Sequence, residues 1–313
     1  MHESKANPPI SVLMPVYNGE RYVRKAINSI LSQTFGDFEF IIVNDGSTDK
    51  TKSIIKSYTD HRIKYIENKN NLGIVESLNN GLEAARGEYI ARMDADDISL
   101  PQRLEHQINF LKAEPDHVGV GAYIQYIDPE GWPISVYQPQ LEHEIIDDYL
   151  LLGHANVIVH SVFMAKKDGM LAINGYQPHY QYAEDLDIFL RLAEIGKLAN
   201  VPNVLLKVRL HDSSICVEQT DSWKDLKTKI LTDAGHRRDV DINFEKMAIG
   251  KRSDVDFRLR WANQAFGNKH ISTTVKNFFV SIAKNGIRKR HIEFIQFNGK
   301  NTVSWIKDKV SNK

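Results

Sequence analysis

Apolar residues in the first two-thirds of the chain fall into short runs that alternate with segments of helical spacing. ISVLMPVYN, FEFIIVND, RIKYIEN and EYIARMDADD read as strands. Between them, ERYVRKAINSILSQ places Tyr22, Ala26 and Ile30 one turn apart, and STDKTKSIIKSYTD opens on residues suited to a helix start. GIVESLNNGLEAARG is a third helix. LPQRLEHQINFLKAEP is a fourth, with Pro101 near its first turn and Pro115 closing it. This alternation predicts an α/β fold: a largely parallel sheet, helices on both faces and right-handed crossovers.

Residues 118–175 are less regular. VGVGAYIQYID, WPISVYQ and NVIVHSVFMA read as short strands around the helical EHEIIDDYLLLG. AEDLDIFLRLAEIG is a strong amphipathic helix with Leu186, Phe189, Leu190 and Ala193 on one face, and NVLLKVRLH is a closing strand. Beyond about Ser213 the chain becomes charged, helical and strand-poor. A boundary there separates a domain of 1–212 from a helical region of 213–313. No internal repeat or low-complexity tract is present.

In parallel α/β sheets, ligands bind beyond the C-terminal strand ends. There the first strand leads to Pro15, Tyr17, Asn18 and Glu20, and the second to NDGSTD with Asp45. The third leads to Asn70, Asn71 and Gly73, and the fourth to Asp94, Ala95, Asp96 and Asp97. In an extended segment, residues two apart point the same way, so Asp94 and Asp96 aim two carboxylates at one point. A divalent cation bridging them to a diphosphate would relieve their repulsion. Asp97 or Ser99 has a simpler use as cap of the helix near Pro101. Arg92 alternates with Asp94 and either approaches the same site or forms a structural salt bridge.

Taken in order, MPVYN, VNDGSTD, Asn71-x-Gly73, GEYIARMDADD and AEDLDIFLRL resemble glycosyltransferase family 2, over about residues 9–212. The resemblance implies a GT-A fold and an inverting, metal-dependent transfer of sugar from a nucleotide diphosphate-sugar, UDP by family frequency, to a hydroxyl acceptor. It implies that Pro15, Tyr17, Asn18, Glu20 and Asp45 line the base and ribose pocket. Asp94 and Asp96 would be the DxD pair that binds Mn²⁺ or Mg²⁺ and the diphosphate, with Asn71, Gly73 and Ala95 in the donor site. Asp185, in the Glu184-Asp185 pair, would be the catalytic base. A helix-start position helps keep it ionised. Asp187 competes for that role but faces another direction, half a turn away. His211 would complete the metal shell or touch the diphosphate, or else bond its own loop. His160 would lie near the acceptor, with Glu184, or in the core. Where relatives carry Ala-Arg-Asn after N-x-G, this chain has Ser77-Leu78-Asn79. Arg260-Trp261 lacks the preceding glutamine of a processive synthase, so transfer of one sugar at a time is expected.

Composition narrows the alternatives. Forty Lys/Arg balance forty Asp/Glu, which argues against a general nucleic-acid binder. The single cysteine, Cys216, excludes an intrachain disulfide and fits a cytosolic setting. The polar start MHESKANPPI is unlike a signal peptide, and no apolar run approaches membrane-span length. There is no P-loop, and Gly119-Val-Gly121 is not a dinucleotide fingerprint. A sugar nucleotidyltransferase would need a glycine-rich, basic first loop, where this chain has one glycine. A catalytically inactive nucleotide-binding scaffold is the remaining alternative. In the tail, Trp223, Trp261, Phe266, Phe278, Phe279 and Trp305 suggest a helical pack. NFFVSIAKNGIRKRHIEF mixes aromatics and cations as interfacial segments do, so the expected setting is cytoplasmic with peripheral membrane or partner association. The acceptor expected is a glycan or lipid-linked sugar of a surface polysaccharide or lipopolysaccharide.

Overall fold

The structure, a computed structural model, describes residues 7–211, 221–247, 257–285 and Phe294. Cys216, Trp305 and the IRKRH cluster lie outside the described residues. The strands are β1 (Ile10–Val16), β2 (Phe38–Asn44), β3 (Ile63–Glu67), β4 (Tyr89–Arg92), β5 (Ile98–Ser99), β6 (His117–Ile127), β7 (Pro133–Tyr137), β8 (Met164–Lys166) and β9 (Lys197–Arg209). The helices are α1 (Val23–Leu31), α2 (Thr51–Lys56), α3 (Ile74–Ala84), α4 (Arg103–Ala113), α5 (His143–Leu151), α6 (Lys167–Ala172), α7 (Glu184–Ala193), α8 (Asp221–Arg238), α9 (Phe257–Gly267) and α10 (Ile271–Asn285).

The strands form one mixed sheet in the order β3-β2-β1-β4-β8-β6-β9-β5, with β7 paired to β6. β3, β2, β1 and β4 run parallel, as the strand–helix alternation predicts. β8 then enters antiparallel between β4 and β6. β1 and β2 are buried at every position, which is why each reads as an unbroken apolar run. β3 is the edge strand and its exposure varies along its length.

Three local expectations need correction. The fourth strand ends at Arg92, and Ala95 and Asp96 form a turn instead of continuing it. α4 has Gln102 before it and no side-chain cap, so neither Asp97 nor Ser99 caps it. NVIVHSVFMA is mostly two single-turn 3₁₀ segments, Ala155–Val157 and His160–Val162, before the three-residue β8.

Among the described residues, Cα packing separates two units. The first holds 7–124, 137–208 and 221–247. Its core joins Leu13, Ile41 and Val43 of the sheet to Leu78 and Leu82 of α3, Phe189 of α7 and Ile230 and Leu231 of α8. Phe163 meets Phe189 edge-on at 4.9 Å.

The second holds 125–136, 209–211, 257–285 and Phe294. It is organised by a buried carboxylate. Asp128 Oδ1 accepts from the backbone N–H groups of Glu130, Gly131 and Trp132 at 3.1, 3.0 and 2.9 Å. Its Oδ2 accepts from Lys276 and from Asn277 Nδ2. Glu130 pairs with Arg258 and Lys276, and these bonds hold its carboxyl down to about 2 against the cost of burial. Trp261 packs on Ile134 and Ala265 beside this network. Removing the Asp128 carboxylate strands the Glu130 and Trp132 N–H groups, leaves Gly131 N–H only its bond to the Asp128 carbonyl, and unbalances the cations beside it. Asp128→Ala is therefore expected to destabilise this unit by about 3 kcal/mol. Asn should recover part of the loss, in urea titrations followed by tryptophan fluorescence.

Candidate functional site

The loops that leave the parallel strands are laced to one another. Asn18 takes a left-handed backbone, φ 48°. Its Oδ1 accepts from Thr48 N–H at 2.8 Å, and Glu20 Oε2 accepts from Lys50 N–H at 3.0 Å. In return, the N–H groups of Asn18, Gly19 and Glu20 donate to Ser47 Oγ, Thr51 Oγ1 and Asp49 Oδ2. The Asn18 and Glu20 side chains are thus engaged in fixing the next loop. Pro15 is buried within β1, opposite Val43, and Tyr17 stands half-exposed above it.

Asp45 fixes the third loop. Its Oδ1 accepts from Asn68 Nδ2 and Leu72 N–H, both at 2.8 Å, and Oδ2 from Gly73 N–H at 2.9 Å. Asn71 Oδ1 also accepts from Gly73 N–H at 3.0 Å. Gly46 makes this approach possible. Its φ is +68°, and a Cβ there would sit 2.5 Å from the Asn70 carbonyl carbon. Gly73, φ +92°, lies against the Gln181 side chain, which carries the rim onward to the start of α7.

The acidic turn lies beyond β4. One oxygen each from Asp94, Asp96 and Asp97 fall within 4.8 Å of one another. The turn, not strand alternation, makes them converge, and it brings in Asp97, which is buried. Ala95 lies beside Gly19, where an added Cβ would come within 3.9 Å of its own. Two buried arginines stand behind the acids. Arg92 is ion-paired to Asp94 Oδ2 at 2.5 Å. Burial works against its charge, but Asp94, then Tyr176 and Glu184, outweigh that and keep it protonated. Arg103, fully buried, donates to the Arg92 carbonyl and, at 3.1 Å, to Gln107. Burial raises the Asp94 pKa, Arg92 opposes the rise, and Asp96 adds to it. All three donors are carboxylates, a set suited to Mg²⁺ or Mn²⁺.

At the start of α7 lies a second buried polar group. His160 Nε2 is 2.9 Å from Tyr176 Oη, and its Nδ1 is 4.0 Å from Glu184 Oε1. Burial, then the Arg92 charge, pushes the His160 pKa far down, so the ring is neutral. Glu184 is pushed up to about 7 by burial and by Asp185, with Arg92 opposing. Its Oε2 has no hydrogen-bond donor among the described residues. Asp185 Oδ1 accepts from Leu186 N–H at 2.7 Å. Burial raises its pKa, while that bond, Arg92 and Lys227 lower it. Lys227 of α8 is buried, lies 4.3 Å over the Trp223 ring and packs on Gly153, φ +78°. Burial lowers its pKa to about 8 despite Asp185. Asp187 is elsewhere engaged: both its oxygens accept from Arg191, with Nε at 3.1 and 3.0 Å.

Arg92 therefore couples the acidic turn to the His160–Tyr176–Glu184 group. Sequence spacing left it undecided between site and salt bridge. Tyr176, Lys227 and Arg103 carried no sequence signal, because each reaches the site from a distant segment. His211 lies two residues beyond the end of β9, in the second unit. Among the described residues, no helix is long and apolar enough to cross a membrane.

Comparison with known proteins places this geometry in context. Residues 11–168 match the family model for glycosyl transferase family 2. An uncharacterized glycosyltransferase of Haemophilus influenzae is 34% identical over 252 residues, covering 75% of this chain and 77% of that protein. The amylovoran biosynthesis glycosyltransferase AmsE of Erwinia amylovora is 30% identical over 225 residues, covering 70% and 82%. Among solved structures, S. aureus TarS residues 1–349 in complex with UDP-GlcNAc superposes with a TM-score of 0.59 at 16% identity, over 93% of this chain and 92% of that one. The mannosyltransferase PcManGT of Pyrobaculum calidifontis, in complex with GDP-Man and Mn²⁺, gives 0.54 at 16% identity, over 94% and 81%. At that identity these likenesses establish the GT-A fold.

The raised Glu184 pKa has a measurable consequence. The fold favours its protonated form, so its stabilising contribution is fully present below pH 4.5 and is lost as pH rises through about 7. Glu184→Gln should flatten that dependence. Relative to wild type it should gain on the order of 2 kcal/mol between about pH 5 and pH 8, read from urea unfolding at fixed pH.

Proposed function

Because the chain belongs to glycosyl transferase family 2, we propose that it moves a sugar from a nucleotide diphosphate-sugar, UDP-linked by preference, onto a hydroxyl of a glycan or lipid-linked acceptor. The transfer inverts the anomeric carbon and serves polysaccharide or lipopolysaccharide assembly. The single observation that carries this reading is the joining, through Arg92, of an acidic turn to a second carboxylate pair at the start of α7.

In this reading Pro15, Tyr17, Asn18, Glu20, Asp45, Asn71 and Gly73 shape the nucleoside pocket. Asn18, Glu20 and Asp45 act mainly by holding loop backbone in place. Asp94 and Asp96, with Ala95 between them and Asp97 beside them, would hold a divalent cation. Such a cation supplies positive charge to a diphosphate leaving group. Asp185 takes the acceptor hydroxyl proton as the acceptor oxygen bonds to the anomeric carbon. The bond from that carbon to the diphosphate oxygen breaks, and its electron pair leaves with the nucleotide. Asp185 suits the role because one oxygen is held by Leu186 N–H and burial raises its pKa, making the carboxylate a better proton acceptor. Neutral His160 and buried Glu184 would line the acceptor side.

The first test is thermal stabilisation by UDP, GDP, dTDP and CDP, with and without Mn²⁺. A nucleotide at ~100 times its Kd adds about 2.7 kcal/mol. The expected result is a Mn²⁺-dependent shift with UDP that Asp96→Ala abolishes. No shift with any nucleotide would sink the proposal. Asp185→Asn should reduce kcat by about 10²–10⁴-fold with binding retained. Asp187→Asn should mainly lower stability, since its partner is Arg191. If Asp185→Asn stays active and Asp187→Asn does not, the assignment of the base is wrong. Lys227→Met should raise the Asp185 pKa and move the acidic limb of kcat/KM to higher pH, while Lys227→Arg should leave it near its original position.

A further inference from the structure

Helix α10 buries several polar residues together with Phe278, which packs on Ala262, and leaves a row of apolar residues exposed. Thr273, Thr274, Asn277 and Ser281 are buried, with Asn277 bridging Arg258 and Asp128. Ile271, Val275 and Phe279 are 40%, 49% and 62% exposed. They stand four residues apart, one above the other on the outer face, and exposed Ala283 continues the line. Single exposed apolar residues need no explanation, but an aligned row does. Packing within the unit does not account for it, since the inward face of the helix is taken up by the Asp128 network and by the Phe278–Ala262 cluster.

Charge says what such a row meets. From Phe257 to His291 the sequence has eight Lys/Arg and no Asp or Glu, in a chain whose net charge is zero. Arg258 and Lys276 are paired with Glu130 and Asp128. Lys269 before α10 and Lys284 in its last turn are exposed. Arg288, Lys289 and Arg290 follow in sequence, outside the described residues.

We propose that the outer face of α10 lies on an anionic lipid surface. Ile271, Val275 and Phe279 enter the boundary between headgroups and acyl chains, and the exposed Lys269 and Lys284 meet the negative headgroups. A second copy of the chain suits this face poorly, because a two-fold interface would set the same cations against themselves.

The test uses the full chain with phosphatidylcholine vesicles, alone or mixed with phosphatidylglycerol. Co-sedimentation with the mixed vesicles only, weakening as salt is raised, is expected. Phe279→Glu should cut the bound fraction about tenfold, and so should Lys269→Glu combined with Lys284→Glu. These positions are exposed, so an unchanged thermal midpoint will show that the variants fold. Three outcomes would overturn the proposal. They are no binding to anionic vesicles, equal binding to neutral ones, and binding that Phe279→Glu leaves intact. Self-association abolished by Phe279→Glu, without vesicle binding, would assign the face to a second copy instead.

Discussion

Carboxylates repel, and this protein gathers five of them, Asp94, Asp96, Asp97, Glu184 and Asp185, at one edge of a sheet. What makes that tolerable is the Arg92 guanidinium, buried at the end of β4 and ion-paired to Asp94. Its charge acts on both the acidic turn and the start of α7, opposing the rise that burial gives to the pKa of Asp94, Glu184 and Asp185. A buried cation needs its own support. Arg103 and Gln107 of α4 supply it indirectly by binding the Arg92, Val120 and Val162 carbonyls, which fixes the strand end from which Arg92 projects. The same charge adds to burial in keeping His160 neutral, so one cation acts on groups in three separate chain segments.

A second regularity concerns helix starts. None of α1 to α7 is capped by the side chain of its own N-cap residue. Backbone donors at the site edge are met by acids from other loops: Gly73, before α3, by Asp45, and Glu20, near α1, by Asp49. Local capping would leave each loop independent. Long-range capping ties three loops into one frame, which a pocket built from several strand ends requires.

Much of this was legible in the sequence, and the reasons are particular. β1 and β2 are buried on both faces and therefore read as continuous apolar runs. The helix α7 is marked by the amphipathic spacing of Leu186, Phe189 and Leu190, whereas Asp185 is picked out only by the resemblance of AEDLDIFLRL. The acidic turn was found by composition but read with the wrong geometry, because MDADD continues a strand pattern that Arg92 in fact ends. Asp97, like Ser99, reads as a cap because a helix start near Pro101 follows it, but α4 takes no side-chain cap. Tyr176 and Lys227 were illegible: each contributes through one side chain brought in by tertiary packing, and no local period records that. The antiparallel entry of β8 has no mark of its own in the sequence, since β8 is only three residues long.

The lacing between the first two loops has a consequence for which positions the molecule can vary. Along the second loop, the side chains of Ser47, Asp49 and Thr51 meet the backbone of Asn18, Glu20 and Gly19. The intervening Thr48 and Lys50 offer their own N–H groups to Asn18 and Glu20. The odd-numbered positions are therefore held by side-chain chemistry, whereas the even-numbered ones are held chiefly through the main chain, with only a longer 3.3 Å bond from Thr48 Oγ1 to Asn18 added. Drift through this loop should follow that alternate-residue rhythm, with proline alone barred from the even sites. The familiar look of the NDGSTD segment would then be an imprint of one loop clasping another, independent of any sugar the protein handles.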